Sequence, residues 1–202
     1  MIATEQHAAA RDAWRDDVAD WDAGQVVFLD ETSTRTTMTR ARGRAPRGVR
    51  VVGRVPRNHG PNVSCLAALS PTGIRVPLAL EGAVDGQVFR QWLREWLLPD
   101  LAPGTTIVLD NLSVHRNPAV REAVEAAACH LRYLPASSPD FNPIELAFSK
   151  LKTHLRGAAA RSFDTLVDAM GVGFNAITAA DAIAWYRHCG YHVAPPEPVQ
   201  PL

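Results

Sequence analysis

The sequence predicts an α/β domain: one mixed five-stranded sheet with helices packed on it. Three observations predict it. Short apolar runs of strand length alternate with stretches of helical periodicity in the order three strands, helix, strand, helix, strand, helices. Two of the short runs end on an aspartate, in Phe28-Leu29-Asp30 and Val108-Leu109-Asp110. No internal repeat or low-complexity segment divides the chain.

Asp16 to Trp21 closes a short helix or linker, so residues 1–25 read as an N-terminal helix or linker remnant. Val26 to Leu29 is the first strand, with Asp30 following. Residues 32–60, rich in Thr, Arg, Gly and Pro, read as hairpin or loop. Val63–Leu69 and Ile74–Leu80 read as strands around a Ser70-Pro71-Thr72-Gly73 turn, with Pro77 either arguing against the second strand or placing it at a sheet edge. Asp85 to Leu98 is a helix whose Val88, Phe89, Trp92, Leu93, Trp96 and Leu97 share one face, ended by Pro99 and Pro103-Gly104. Thr106–Leu109 is a buried strand. Asn117-Pro118 opens a helix to about Ala128, and Leu131–Leu134 is the last strand. After a loop with three prolines, a helix runs from Ile144 to about Arg156, and two more cover 163–170 and 179–188. Residues 26–192 form the domain proper, and 193–202 read as a flexible, proline-rich tail.

Composition narrows the function. Of the 202 residues, 47% are apolar and 21% charged, which suits a globular protein. No apolar run reaches the ~18 residues of a membrane helix, and the N-terminus lacks a secretory leader's pattern. Three scattered cysteines with no CxxC pair argue against zinc and a disulfide framework and for a reducing cytosol. Net charge is zero, but Thr32 to Leu80 contains no Asp or Glu and nine arginines. Such a block is either an electrostatic footprint for a phosphate backbone or a solvated arginine-rich surface.

Three carboxylates stand out. Asp30 and Asp110 sit at strand ends, on the rim where α/β sites open; taken alone, each reads more readily as an ordinary strand-to-turn residue. Glu145 falls three residues after Asn142, with Pro143 between, so a capping box is the structural alternative. Along that helix Ile144, Phe148, Leu151 and Leu155 form an apolar face. Glu145, Ser149, Lys152 and Arg156 line another. That suits a metal at one end with a phosphate backbone alongside, or a solvated face paired with the helix dipole. Phosphodiester cleavage needs an activated water and a stabilised leaving oxygen, which two Mg²⁺ ions held by carboxylates supply together.

Val26-Val27-Phe28-Leu29-Asp30-Glu31, Gly43-Arg44-Ala45-Pro46-Arg47-Gly48, the Val108 to His115 segment and Leu134 to Lys152 resemble, in that order, the catalytic half of bacterial insertion-sequence transposases related to the mariner group. The 34 residues between Asp110 and Glu145 match that group's spacing. The resemblance covers roughly Val26 to Tyr191. It implies an RNase H-like fold in which Asp30, Asp110 and Glu145 are the catalytic and metal-binding triad. The cofactor it implies is two Mg²⁺ ions, with Mn²⁺ as a substitute. Water would cleave the phosphodiester at the element's end, and the freed 3′-hydroxyl would attack target DNA. Asp30 and Asp110 would hold a shared metal, and Glu145 would complete the second site. Arg42, Arg44, Arg47, His115, Lys152 and Arg156 would contact nucleic acid, with a loop histidine as the alternative for His115. Glu31 should face away from Asp30, and Asp140 and Asn142 would shape the turn that aims Glu145.

Departures from the family pattern are Ala136-Ser137-Ser138-Pro139 in place of an aromatic pair before Ser-Pro, and Phe148 where Trp is common. About 25 residues precede the first strand, too few for the family's helix-turn-helix reading head. The expectation is a truncated chain, the product of a split or frameshifted gene, or a decayed remnant. Partners would be double-stranded DNA (element ends and target) and a second copy in an active dimer. No membrane partner is expected, and the location would be the bacterial cytoplasm at the nucleoid. The competing readings are a non-catalytic DNA-binding or dimerising remnant that regulates a full-length transposase, and a general RNase H-like nuclease.

Overall fold

The computed structural model describes residues 6–58, 60–111 and 116–193. Five strands form one sheet in the order β3-β2-β1-β4-β5: β1 Val26–Arg35, β2 Asn62–Ser70, β3 Gly73–Glu81, β4 Thr106–Leu109 and β5 His130–Tyr133. β1–β2 and β2–β3 are antiparallel, while β1–β4 and β4–β5 are parallel. The sheet is therefore mixed, as the sequence predicts.

Both faces are covered. Alternation along β1 sends Val26 and Phe28 into one apolar cluster and Val27 and Leu29 into the other. The first cluster lies under α1 (Ala8–Val18), α5 (Pro143–Ala158), α6 (Phe163–Asn175) and α7 (Ala179–His188). The second lies under α2 (Gly86–Trp92), the turn that follows it, and α4 (Pro118–Ala126). Tyr186, fully buried on α7, places its hydroxyl 2.7 Å from the Val26 carbonyl and 2.8 Å from that of Leu69, which ties α7 to β1 and β2. α1 packs on the same core through Trp14 and Val18, and Trp14 Nε1 donates to the Tyr191 hydroxyl at 3.1 Å.

Three local expectations change. β1 does not stop at Leu29 but continues to Arg35, because β2 offers a partner for every residue from Phe28 onward. The segment beyond, which begins as a turn at Thr36, is irregular in its described residues before β2. The helix from Gly86 widens into a π turn at Leu93–Leu97 and ends as α3, Leu98–Asp100, with Pro99 inside it rather than after it. Proline has no N–H to give the carbonyl four residues back, and each π turn holds an extra residue. The faces rotate accordingly: Leu97 is buried, while Trp96 is 49% exposed instead of packed. β3 is an edge strand, as Pro77 predicts, and its pairing with β2 is irregular between Leu66 and Ala68, next to Val76 at φ +39°.

Among the described residues no single helix is long and apolar enough to cross a membrane. The α6–α7 pair satisfies length and composition jointly but bends by 77°.

Candidate active site

The parallel β1–β4 ladder ends at Phe28 opposite Val108. Carried two residues further, the same register sets Asp30 opposite Asp110. Phe28 and Val108 belong to the cluster beneath α5, so side-chain alternation points both aspartates to α5's face of the sheet. Glu31 has the opposite parity. The two acids thus stand where β1 turns its pairing to β2 and β4 ends, at the carboxyl ends of the parallel strands.

Glu145 arrives from the other side, in the first turn of α5. The buried face of that helix is Ile144, Ala147, Phe148, Leu151 and Leu155, which contains the predicted stripe. Its burial against the sheet fixes the helix's rotation and leaves Glu145 exposed at the rim. Asp30, Asp110 and Glu145, with Asn111 and Asn142, line one cleft of about 450 Å³ closed on the remaining side by residues 134–139.

The anticipated capping box does not form. Asn142 occupies the N-cap position of α5 but its side chain makes no cap bond. Its Nδ2 instead donates to Asp30 Oδ2 at 2.9 Å. The other Asp30 oxygen accepts from the Glu31 backbone N–H at 2.7 Å. Asn142 is 3% exposed, and its Oδ1 has no hydrogen-bond partner among the described residues.

The loop that carries Asn142 is held from outside the cleft, by residues the sequence did not single out. Arg11 of α1 donates through Nη1 to Ser138 Oγ (2.8 Å) and Asp140 Oδ1 (2.9 Å), and through Nη2 to Asp140 Oδ2 (2.6 Å). The same guanidinium lies 4.3 Å from the Phe141 ring centroid. Hydrogen bonding from Arg11 holds the Asp140 carboxyl below its ordinary value. Tyr191 donates to the Phe141 carbonyl at 2.7 Å. Ser137 adopts a left-handed conformation (φ +53°) within this loop. Opposite it, Arg116 donates to Asn111 Oδ1.

The donor set is all hard oxygen. No histidine or cysteine lines the cleft among the described residues. That chemistry fits Mg²⁺ or Mn²⁺ and not zinc. The orphaned Asn142 oxygen beside Asp30 is a further acceptor in want of a partner. The acids surround the cleft without converging: among the described residues, no three His, Cys, Asp or Glu side chains are close enough to hold an ion. Glu145 is exposed in the first turn of α5.

The remaining predicted positions separate. Arg42 and Arg156 line a different groove of about 1090 Å³, together with Arg40, Lys150 and His154, between the irregular segment and the α5–α6 pair. Arg161 anchors the root of that segment by donating to the carbonyls of Thr36 and Met38 at 3.0 and 3.1 Å. Arg44 and Arg47 are exposed farther along it, and Lys152 is half-buried on α5. His115 lies outside the described residues.

A family model described as DDE superfamily endonuclease matches residues 25–167, which include all three acids. The chain belongs to that family. The DDE endonuclease fold is also that of the Mos1 transposase catalytic domain. One structure of that domain, with raltegravir and Mn, superposes with a TM-score of 0.72 at 13% identity over 94% of this chain and 92% of that one. The Mos1 strand transfer complex gives 0.69 at 17% identity, and the Mos1 paired-end complex with left transposon end gives 0.71 at 16%. This DDE chain spans 56% and 60% of the length of those two Mos1 chains. No curated protein sequence matches it.

Proposed function

We propose that this DDE endonuclease domain is the catalytic domain of a DNA transposase. It would hydrolyse a phosphodiester at the ends of a mobile element and join the resulting 3′-hydroxyl to target DNA. The observation that carries this reading is the delivery of Asp30, Asp110 and Glu145 into one cleft from β1, the end of β4 and the start of α5.

Asp30 and Asp110 would hold one divalent cation, and Glu145 would complete the site for a second. Bound there, the cations would supply Lewis acidity and charge neutralisation for in-line displacement at phosphorus. The polypeptide's own part is positioning. Asn142 fixes the Asp30 carboxylate, and burial of α5 sets the helix from which Glu145 reaches. The Arg11 clamp holds the wall that bounds the cleft. Arg40, Arg42 and Arg156 would bind a phosphate backbone in the neighbouring groove. Two element ends handled together call for a dimer, and the substrate places the protein with bacterial chromosomal DNA.

The test is Mg²⁺-dependent nicking of element-end DNA by wild type, Asp30→Asn and Glu145→Gln, with circular dichroism confirming the fold. Each variant should lose cleavage with its melting temperature retained. Undiminished cleavage in both would overturn the assignment of the triad.

A further inference from the structure

Asn142 departs from what its position in the chain would have it do. An asparagine at an N-cap normally accepts a backbone N–H of the first turn. Here that contact is absent. The side chain crosses to β1 and donates to Asp30 Oδ2 at 2.9 Å. The same amide then leaves Oδ1 buried and without a partner among the described residues, on a residue that lines the cleft. A buried acceptor left without a partner is destabilising. Rotating the amide does not relieve it, because Oδ1 would then face the Asp30 carboxylate, oxygen against oxygen. Among the described residues the side chain thus makes no cap bond and leaves one acceptor without a partner while its other end holds Asp30.

We infer that Asn142 belongs to the cation site itself: Nδ2 fixes the Asp30 carboxylate, and Oδ1 is a neutral oxygen ligand for the divalent cation that Asp30 helps hold. The inference rests on the proposed cation-binding role of Asp30. An amide carbonyl is a hard donor of the kind Mg²⁺ and Mn²⁺ accept beside carboxylates. One end of the amide is bonded to Asp30 and the other is a buried acceptor a bond angle away, so Oδ1 is held next to the Asp30 carboxylate. Asn142 is here a positioning residue for Asp30 and a ligand in its own right, a role that a turn-shaping residue does not have.

The experiment is Mn²⁺ titration of the full chain without DNA, followed by electron paramagnetic resonance of free Mn²⁺, with melting temperatures recorded with and without the ion. Asn142→Ala should weaken Mn²⁺ binding about 10- to 100-fold, the usual range for residues that support a metal site. Asp30→Asn is the control. If Asp30→Asn abolishes binding and Asn142→Ala leaves it within threefold of wild type, the role of Asn142 is refuted and the cation site stands. If Asp30→Asn also leaves binding unchanged, the cation site is refuted and this inference with it. Should Asn142→Ala fail to fold, Asn142→Asp decides. It retains an oxygen but sets two carboxylates against each other unless a cation lies between them. Mn²⁺ should then raise its melting temperature more than it raises that of wild type; an equal or smaller rise overturns the inference.

Discussion

Arg11→Ala tests whether the cleft's outer wall is held from α1. The Arg11 side chain is 12% exposed and Asp140 55%, so water competes for the pair from the Asp140 side. An ion pair so exposed is worth about 0.5–1 kcal/mol. The charge-assisted bond to Ser138 adds about 1 kcal/mol, and stacking on Phe141 about 0.5 kcal/mol. Together the loss is about 2 kcal/mol, or roughly 4–8 °C in melting temperature for a domain of this size. Arg11→Lys keeps the charge but not the two-pronged bond and should lose about half as much. The pH dependence has a definite sign. Asp140 is held below its ordinary 3.8 in the folded state. Its pairing therefore stabilises fully above about pH 4 and is lost as pH falls through the lowered value. Melting followed by circular dichroism should show the wild-type advantage over Arg11→Ala at pH 7, narrowing in acid as Asp140 protonates. A difference below about 1 °C at pH 7, or one that persists unchanged in acid, would refute the clamp.

Tyr186→Phe removes a hydroxyl that serves two buried carbonyls and should cost about 1–3 kcal/mol, measured by urea unfolding. Arg42→Ala and Arg156→Ala should each weaken DNA binding without regard to sequence and lower the slope of log affinity against log salt by about 1; fluorescence anisotropy across a salt series measures it, and an unchanged slope removes that residue from the interface. Cys65, Cys129 and Cys189 are all buried, and burial pushes the Cys65 and Cys189 thiols up to about 12. A thiol reagent at pH 8 should therefore label the native protein slowly and all three cysteines at once in denaturant; rapid labelling of the native protein would show that the core opens.

Local chemistry determined much of this protein. Apolar runs of strand length, the helical periodicity around Phe89 and Leu151, and the Asn117-Pro118 start of α4 are written in neighbouring residues, because period and capping act over a few positions. The placement of Asp30 and Asp110 after apolar runs, and of Glu145 one turn into an amphipathic helix, was legible for the same reason. Partners distant along the chain decided the rest. β1 runs on to Arg35 because β2 pairs with it, and Trp96 turns outward because a π turn shifts the helix's phase. Arg11 meets Asp140 across 129 residues, and Asn142 meets Asp30 across 112. The local pattern around Asn142 marks a helix N-cap; in the folded chain its amide nitrogen meets a carboxylate that the sheet brings close, and the cap bond is not made. That contact has no signature in a linear sequence, since it depends on which group the folded chain brings within hydrogen-bonding distance.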